Sequence, residues 1–424
     1  MPAAYNCSMS ERVDVLVVGG GVIGLASALA LLDAGRSVRV LEANTIGSGS
    51  SHGNCGTITP SHAAPLAAPG KVAKALHWML TPDAPFYVKP RFDPALWNWL
   101  LRFALRCNAR DWHAAMVARA AILKSSRALL PQWVARYRLE CEYAEQGVDY
   151  VFRSDAALSD LAAELPPLAE LGIAAEVIDG ATYLRSEPAL RDGVVGVVRF
   201  PGDARLRPDR YVAELARAVR EAGGVIEEHC EVRGIDADGD GVRVATSQGE
   251  RHGRDVVMAT GAWSPLLAKS AGLMKLPVQP GKGYSITYDR PALAPKQPVV
   301  LYERSVCVTT WDSGYRLGST MEFSGYDTSL NRRRLDALER GAREYLHEPV
   351  GPVKREEWFG WRPICVDDLP IIGRAPGHRN VWLATGHGML GVSMSTATAQ
   401  LVADLVCART PQIDPAPYSP ERFA

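Results

Sequence analysis

The chain has 424 residues, of which 47% are apolar and 22% charged, with 47 basic and 47 acidic side chains. This length allows two or three domains with a sizeable core, and the composition excludes a disordered or collagen-like chain. A chain without net charge has no overall field to draw it onto nucleic acid, so a small-molecule site is favoured. The eight cysteines form no C-x-x-C pair and no zinc-type spacing with histidine. We therefore expect reduced thiols, no metal site and a cytoplasmic protein.

An uncharged run of 18 residues, 15–32, could be taken for a membrane span or a late signal peptide. Three consecutive glycines at 19–21 are a poor helix interior, and residues 1–14 lack a basic region. We therefore expect neither, and interpret the run as a buried strand, a glycine turn and a buried helix.

The same run opens a dinucleotide-binding pattern. An apolar strand at 13–18 is followed by G-G-G-V-I-G at 19–24, an alanine- and leucine-rich helix at 25–34, and a second strand at 38–41. Glu42 ends that strand, 18 residues after the last glycine. A glycine motif that follows a strand, opens a helix and precedes an acidic strand end predicts a nucleotide site.

Each member of this pattern has a physical reason. Gly19 allows the tight turn, Gly21 lets the backbone approach a pyrophosphate, and Gly24 allows close packing of helix on strand. Glu42 is placed to accept hydrogen bonds from ribose hydroxyls, and it disfavours NADP, whose 2′-phosphate it would repel. The pattern does not distinguish NAD from FAD.

Two later segments have more than one interpretation. The small, hydroxyl-rich loop 44–56 is either a surface loop or, as we favour, a second set of phosphate or ribitol contacts.

Residues 64–137 are expected to be helical. The stretch 94–103 is favoured as the core face of an inserted helix, and the alternative is an interfacial patch that meets a membrane or a redox partner. Half of the ten tryptophans lie in this region: Trp78, Trp97, Trp99, Trp112 and Trp133.

The rest of the chain alternates between strand and helix signals. The predicted elements are strand and loop material to 200, a helix at 209–222, strands at 225–229 and 231–235, a hairpin turn at 238–241, a buried strand at 256–263, an antiparallel sheet at 282–353, a strand at 381–384, a glycine loop at 385–391 and a helix to about 406. The second glycine loop before a helix predicts a second anion or carbonyl site. A flavin, whose ring must be held far from its adenine, explains that loop better than NAD does.

Six motifs lie in a characteristic order along the chain. They are V-V-G-G-G-V-I-G at 17–24, S-S-H-G-N-C-G at 50–56, A-A-P-L-A-A-P-G at 63–70, G-K-G-Y-S at 281–285, F-G-W-R-P-I-C-V-D-D-L-P-I-I-G-R at 359–374 and L-A-T-G-H-G-M-L-G at 383–391. Together they resemble bacterial FAD-dependent D-amino acid dehydrogenases of the small-subunit type, within the D-amino acid and glycine oxidase superfamily. The resemblance extends over nearly the whole chain.

The resemblance implies an α/β fold, with a Rossmann-like FAD-binding domain and a second α+β substrate domain built on an antiparallel sheet plus a helical insertion. We expect the FAD-binding domain at 11–62, 201–275 and 360–412. The substrate domain would take 63–200 and 276–359, with the helical insertion at 65–138. The implied chemistry is oxidation of the Cα–N bond to an imine by hydride transfer to flavin N5. Electrons would pass to an acceptor such as a quinone, with possible peripheral contact at the inner face of the membrane.

The resemblance also implies cofactor contacts. The implied ADP contacts are Gly19, Gly21, Val22, Ile23, Gly24, Glu42 and Ala43. The implied pyrophosphate and flavin contacts are Ser50, Ser51, Asn54 and Gly56, with Val232 near adenine and Thr260 and Gly261 where a returning strand meets the dinucleotide. The implied contacts at the N1–C2=O edge of the flavin are Gly386, His387, Gly388, Met389, Leu390 and Gly391.

Three side chains are the catalytic candidates. Arg362 matches the position that binds the substrate carboxylate, and the alternative is a structural ion pair with Asp367 or Asp368. Tyr284 is either a second carboxylate contact or a core tyrosine. His387 either touches flavin or substrate, or caps the closing helix.

Departures from the family pattern bear on the substrate. Met389 and Val392 replace a threonine and a large aromatic residue of many relatives, which changes the apolar volume near the flavin. We favour D-proline or cis-4-hydroxy-D-proline over D-alanine. The alternatives are a broad D-amino acid dehydrogenase, a glycine or sarcosine oxidase, and a non-catalytic FAD-binding subunit. Non-covalent FAD is expected, although His52 and Cys55 leave a tethered flavin open.

Overall fold

The structure, a computed structural model, describes residues 12–70, 86–89 and 91–424. Three parts of the sequence predictions lie outside this range. They are the segment 1–11 used in the signal-peptide argument, the stretch 71–85 of the predicted helical insertion, and Trp78 within it.

Strands make up two large sheets and one small one. The strands are β1 (Val13–Val18), β2 (Val38–Leu41), β3 (Thr57–Ile58), β4 (Phe86–Val88), β5 (Val148–Phe152), β6 (Glu176–Asp179), β7 (Gly196–Phe200), β8 (Ala204–Arg205), β9 (Val225–Glu227), β10 (Val232–Ala237), β11 (Val242–Thr246), β12 (Gly249–Met258), β13 (Val278–Tyr288), β14 (Val299–Leu301), β15 (Val306–Trp311), β16 (Gly314–Phe323), β17 (Lys354–Cys365), β18 (Ile371–Arg374) and β19 (Val381–Thr385).

The helices lie on the faces and at the ends of the sheets. They are α1 (Val22–Asp33), α2 (Pro94–Arg106), α3 (Ala109–Tyr137), α4 (Asp155–Ala162), α5 (Leu165–Glu170), α6 (Gly180–Ser186), α7 (Pro208–Glu221), α8 (Ser264–Ser270), α9 (Arg332–Tyr345) and α10 (Gly391–Val406). Among the helices of the described ranges, none is both long and apolar enough to cross a membrane.

The first sheet has a parallel centre in the order β9, β2, β1, β12 and β19. The hairpin of β10 and β11 pairs antiparallel with the first half of β12, and β18 pairs antiparallel with β19. The central strands are almost wholly apolar because both of their faces are buried. Helix α1, which follows β1, packs against α7 and α10. The strand, glycine turn and helix predicted at the amino terminus, the hairpin at 238–241 and the closing helix are all confirmed.

The second sheet runs in the order β17, β13, β16, β15, β14, β5, β7 and β6, with β4 alongside the end of β16. Its neighbouring strands are antiparallel except for β14 with β5 and β16 with β4. Helix α9 packs on this sheet. The predicted antiparallel sheet is therefore confirmed.

Two predictions of element type were wrong. The segment 282–353 was assigned entirely to strands, yet it contains α9, whose buried Leu335, Leu338, Ala342 and Tyr345 repeat at helical spacing. The segment before 200 was assigned to strands and loops, yet it contains α4, α5 and α6. These three helices have eight residues or fewer, too short for a clear periodic pattern.

The domain division remains a prediction, and one of its boundaries needs moving. β17 continues from Lys354 to Cys365 and pairs with β13 over nearly its whole length. A boundary between 359 and 360 would therefore cut one strand of the second sheet. The predicted helical insertion contains α2 and α3, together with β4.

Candidate active site

A cavity of about 1810 Å³ extends from the carboxyl ends of β1 and β2 to one face of the second sheet. All of the predicted site residues line it except Gly24, Gly56 and Gly386. The carboxyl end of a parallel sheet is where such folds bind their ligands. The structure therefore gathers residues that are more than 300 positions apart in the sequence around one space.

The glycine turn after β1 is shaped to admit a ligand backbone. Gly19 has a φ of +110°, and a Cβ there would lie 2.6 Å from the carbonyl oxygen of Ala259. A Cβ on Gly24 would collide with the carbonyl of Gly19, so Gly24 permits the close packing of α1 on β1. A Cβ on Gly21, in contrast, would meet only Ser51 Oγ, 3.4 Å away, within 4 Å. The space in front of Gly21 is thus open at the amino terminus of α1, where unpaired N–H groups favour a phosphate.

Glu42 is fixed at the end of β2 by the backbone. Its Oε2 accepts a hydrogen bond from the N–H of Gly20 at 2.7 Å, and its Oε1 accepts one from the N–H of Asn44 at 2.8 Å. The carboxylate lines the cavity beside the glycine turn. The remaining lone pairs of the carboxylate can accept hydrogen bonds from ribose hydroxyls.

The loop after β2 joins the first sheet to the second. Ser51 Oγ accepts a hydrogen bond from the N–H of Val22 at 3.1 Å, and Ser50 Oγ donates to the carbonyl of Trp361. Asn54 Oδ1 accepts from the N–H of Gly56 at 2.7 Å. The loop is therefore a structured part of the cavity wall and not a free surface loop.

His52 is one of the two residues considered for a covalent bond to the flavin, and its side chain is directed toward Glu356. Its Nε2 lies 2.9 Å from Glu356 Oε1, and the residue is absent from the cavity wall. Cys55 does line the cavity.

Arg362, on β17, presents a guanidinium to the cavity from a partly buried position. A Cβ added to Gly283 on the neighbouring strand β13 would overlap the guanidinium, so the side chain lies flat on the glycine backbone. Its Nη1 donates to the carbonyl of Thr320, and its Nη2 lies 3.5 Å from the carbonyl of Ser319. Burial lowers the pKa of Arg362, and arginine nevertheless stays charged in proteins.

The predicted alternative partners of Arg362 are occupied by other arginines. Asp367 Oδ2 is 2.8 Å from Nε of Arg422, and the buried carboxylate of Asp368 pairs with Arg119. The ion-pair interpretation of Arg362 was therefore wrong. Within the described ranges, no carboxylate forms an ion pair with Arg362, and its charge is available to an anionic ligand.

The two carbonyls beneath Arg362 come from a distorted stretch of β16. Ser319 has a φ of +151° and Thr320 a φ of +62°, and the pairing of β13 with β16 shifts register between Lys282 and Tyr284. Positive φ values at residues with a Cβ each cost about 1–3 kcal/mol. The irregularity turns the Thr320 carbonyl toward the guanidinium.

The hydroxyl of Tyr284 is directed away from Arg362 and toward Glu322. It donates to Glu322 Oε2 at 3.4 Å, and the same oxygen accepts from Asn331 Nδ2 at 3.0 Å. Because successive strand residues point to opposite faces, Tyr284 points away from the face on which Gly283 supports Arg362. Burial raises the pKa of the Tyr284 hydroxyl. The prediction that Tyr284 contacts the carboxylate is therefore not supported, and its hydroxyl is part of the sheet's internal packing.

His387 secures the closing glycine loop. Its Nε2 lies 3.0 Å from Thr398 Oγ1 of α10, and burial lowers the pKa of His387 to about 3, so the imidazole is neutral. The N–H of Gly388 donates to the carbonyl of Pro363 at 3.0 Å, which ties this loop to β17 beside Arg362. The first-turn N–H groups of α10, from Gly391 and Val392, have no acceptor within the helix and line the cavity.

Comparison with known proteins identifies this arrangement. The DAO family, described as FAD dependent oxidoreductase, matches residues 14–405. The chain belongs to this family of FAD-dependent oxidoreductases.

The relatives of this oxidoreductase are similar over their whole length. It is 32% identical over 417 residues to the D-amino acid dehydrogenase of Granulibacter bethesdensis, covering 97% of this chain and 99% of the relative. It is 33% identical over 412 residues to that of Sinorhizobium medicae, covering 95% and 98%.

Solved structures share the fold. Glycine oxidase from Geobacillus kaustophilus matches with a TM-score of 0.77 at 25% identity, covering 97% of this chain and 98% of that one. L-proline dehydrogenase from P. horikoshii matches with a TM-score of 0.72 at 20% identity, covering 98% of each chain. The expected family and fold class are confirmed.

FAD is the cofactor of the oxidoreductase, and the residues present fit it. The open space before Gly21 suits a pyrophosphate, Glu42 suits a ribose, and the amides of Gly391 and Val392 begin α10 in the same cavity, where Gly391 lies beside Val22. One extended dinucleotide could therefore contact all of them. The individual cofactor contacts remain predictions.

The surroundings of Arg362 were not predicted. On β13, Gly281 pairs directly with Arg362, and Gly283 leaves the room that the guanidinium occupies. The signal was present as two glycines at strand spacing in G-K-G. Their partner could not be read without the pairing of the two strands.

Proposed function

We propose that this oxidoreductase is a D-amino acid dehydrogenase that oxidises the Cα–N bond of a D-amino or cyclic D-imino acid to an imine. The observation that carries the proposal is the partly buried guanidinium of Arg362, which faces the cavity without an ion-pair partner among the described residues. A partly desolvated charge without a partner is costly, and a substrate carboxylate would relieve that cost. The names of the two relatives, both D-amino acid dehydrogenases, support the substrate class.

Arg362 orients the substrate in this proposal. A guanidinium has five N–H donors, and the carbonyls of Thr320 and Ser319 use only part of them. The remaining donors can bind a carboxylate as a planar fork, which fixes the direction of the Cα–H bond. FAD, when bound, supplies the acceptor for the hydride.

His387 is a poor candidate for the base that accepts the proton of the substrate amine. Its ring is held by Thr398, and its lowered pKa keeps it unprotonated at physiological pH. It is thus placed to hold the loop and not to remove a proton. We expect the substrate to react as the neutral amine, with its proton lost to solvent beforehand.

D-Proline and cis-4-hydroxy-D-proline are the proposed substrates. Met389 and Val392 both line the cavity where the closing loop meets α10, and these are the positions at which the chain departs from many relatives. A change of one methylene in such a pocket alters selectivity about 10-fold or more. The L-proline dehydrogenase neighbour shows that this fold has a member named for a ring substrate.

The alternative functions make different predictions. A broad dehydrogenase would use D-alanine equally well. The similarity to glycine oxidase, at 25% identity, supports an oxidase as an alternative, and such an enzyme would reduce oxygen. A non-catalytic subunit would bind FAD and react with no small amine.

A quinone acceptor and a peripheral membrane contact remain proposals. They are supported by an exposed apolar stripe on α2, formed by Trp97, Leu101 and Leu105, which are 53%, 61% and 69% exposed. Their spacing of four residues puts them on one side of the helix. Leu96 and Trp99 of the same helix are buried, so α2 has both the core face and the exposed face that were alternatives in the sequence. Binding to anionic vesicles, lost in Trp97→Ser, would test the contact.

The deciding experiment is an anaerobic titration of the flavin spectrum. The holoenzyme is mixed in turn with D-proline, cis-4-hydroxy-D-proline, D-alanine, L-proline, glycine and sarcosine. Bleaching by the two D-imino acids alone supports the proposal. Equal bleaching by D-alanine supports the broad enzyme, and no bleaching supports the non-catalytic subunit. Bleaching by glycine and sarcosine, followed by rapid return of the flavin colour when air is admitted, supports the oxidase class. A yellow supernatant after acid precipitation would establish that the flavin is not covalently bound.

A further inference from the structure

Two cysteines meet on the cavity wall. On the second sheet, Gly318 of β16 pairs directly with Cys307 of β15, so both face the same side. Cys55 approaches this side from the cofactor loop: a Cβ on Gly318 would lie only 2.5 Å from Cys55 Sγ. The Cys55 thiol therefore occupies the space that the missing side chain of Gly318 leaves, next to Cys307.

The two cysteines are neighbours and accessible. Both are reduced and partly exposed, both line the cavity, and Cys307 Sγ also lies 3.8 Å from Thr309 Oγ1. A small solute that enters the cavity can thus reach either sulfur. The backbone that carries Cys55 is held in place by Arg316, whose Nη1 donates to the carbonyls of His52 at 2.9 Å and Asn54 at 2.7 Å.

The pair is chemically asymmetric. The neighbouring Cys307 thiol lowers the pKa of Cys55 against the opposing effect of burial, and the charges of Arg362 and Arg316 lower it further. The neighbouring Cys55, together with burial, raises the pKa of Cys307. A reactive thiolate beside a second thiol is the usual arrangement of redox-sensing cysteines.

We propose that Cys55 and Cys307 form a reversible disulfide when the protein meets a peroxide. The Cys55 thiolate attacks one peroxide oxygen, which gives a sulfenic acid and releases hydroxide. Cys307 then attacks that sulfur, its proton leaves with the sulfenic oxygen as water, and the disulfide forms. In total two thiols are oxidised and one hydrogen peroxide is reduced to two waters. A dithiol reductant reverses the reaction by thiol–disulfide exchange.

The bond would alter the cavity near Arg362. It would link the loop that contains Asn54 and Gly56 covalently to β15. This loop forms part of the wall on the cofactor side, so we expect oxidation to lower turnover until the bond is reduced. The proposal goes beyond the proposed function, and bond formation is measured independently of activity.

The test uses holoenzyme treated with a small excess of hydrogen peroxide. After alkylation under denaturing conditions, we expect two free thiols fewer than the eight cysteines of the sequence, and a peptide pair linked through Cys55 and Cys307. Dithiothreitol should restore both thiols. An unchanged thiol count, or linkage through other cysteines, would overturn the proposal.

Variants separate the two roles. In Cys307→Ser, oxidation should stop at a sulfenic acid on Cys55 that dimedone traps, whereas Cys55→Ser should lose no thiol at the same peroxide dose. Gly318→Ala should displace the Cys55 thiol and slow disulfide formation at least tenfold. Cys107→Ser is the matched control, because Cys107 is also partly exposed but lies outside the cavity wall, and it should form the bond at the wild-type rate. A sulfenic acid absent from Cys307→Ser, or a wild-type rate in Gly318→Ala, would contradict the mechanism.

Discussion

The guanidinium of Arg362 rests on the backbone of Gly283, and a single added carbon at that glycine would displace it. The two residues lie on paired strands, β17 and β13, so their relationship depends on sheet register and not on sequence proximity. The glycine leaves room for a planar cation that the carbonyls of Thr320 and Ser319 then hold. The proposed carboxylate site is therefore formed by β17 and β13 together with the irregular stretch of β16.

Replacing Arg362 by leucine should weaken substrate binding and turnover together. Loss of one partner of a hydrogen-bonded charge pair costs about 2–5 kcal/mol, so we expect kcat/KM to fall about 30-fold or more. The measurement is the dissociation constant from the anaerobic spectral titration, with steady-state kinetics. Arg374→Leu, an exposed arginine of the same motif, should retain wild-type values. Ordinary KM and kcat in Arg362→Leu would exclude the anchoring role.

Gly283→Ala should reproduce part of this defect without removing the charge. The new methyl group overlaps the guanidinium, and overpacking of this kind costs about 1–3 kcal/mol. We expect KM to rise about tenfold or more. The control is Gly234→Ala on β10, where an added Cβ would meet nothing within 4 Å. An unchanged KM in a folded Gly283→Ala protein would mean that Arg362 binds substrate in another rotamer.

Tyr284→Phe should leave KM within twofold of wild type. The hydroxyl donates to Glu322 inside the sheet, so its removal should lower the free energy of unfolding by about 1 kcal/mol instead. Urea unfolding and steady-state kinetics give the two quantities. Tyr315→Phe, another buried tyrosine of this sheet that donates to a backbone carbonyl, is the comparison. A tenfold rise in KM for Tyr284→Phe would return the hydroxyl to the substrate site.

Glu42→Gln should weaken FAD binding about tenfold. The replacement keeps the shape of the side chain, but it removes the charge that strengthens hydrogen bonds from ribose hydroxyls and places an NH2 group where an oxygen accepts the N–H of Gly20 or Asn44, an effect of about 1–3 kcal/mol. Equilibrium dialysis of the flavin measures the change. Glu228→Gln removes a nearby charge that bonds the N–H of Ile46 outside the cavity wall, and it should retain FAD as wild type does. Equal retention by both variants would argue against the ribose role.

Acidification should destabilise the protein through two buried histidines. Burial lowers the pKa of His387 to about 3 and, with the charge of Arg119, that of His62 to about 4. Below about pH 6.5 the unfolded chain binds protons that the folded chain refuses, so stability falls with pH at up to about 1.4 kcal/mol per unit for each histidine. Asp203 opposes this trend: burial raises its pKa to about 7, so its contribution is lost as pH rises through 7.

The pH prediction is tested by urea unfolding at several pH values between 6.5 and 4.5 with saturating FAD. His387→Gln should lose less stability than wild type over this range, because one of the two histidine contributions is gone. His347→Gln removes a surface histidine without touching the buried pair, and it should follow the wild-type curve. Identical curves for His387→Gln and wild type would show that His387 is protonated in the folded protein.

The local parts of the site could be predicted from the sequence. The glycine turn, Glu42 and the closing loop are each formed by consecutive residues, and their order along the chain is enough to identify strand, turn and helix. Arg362 was found from its motif. These predictions needed no knowledge of which strands pair.

The non-local parts could not be predicted. Gly283 and Tyr284 are neighbours in one motif, yet only the pairing of β13 with β17 shows that the first supports Arg362 and the second points away. The positive φ values of Ser319 and Thr320 likewise depend on a shift between two strands. Helix α9 is a different case, because the helical spacing of its apolar residues is visible in the sequence. The aromatic strands before it led to the wrong prediction that the sheet continues through this segment.

The distorted backbone beneath Arg362 holds a β-branched residue in an unfavourable conformation. Thr320 has a φ of +62°, which glycine or asparagine would adopt at lower cost. Either replacement would favour the conformation that is already present, so the carbonyl of position 320 would continue to hold the guanidinium. Position 320 is therefore one at which heat resistance could increase without a loss of the arginine's support.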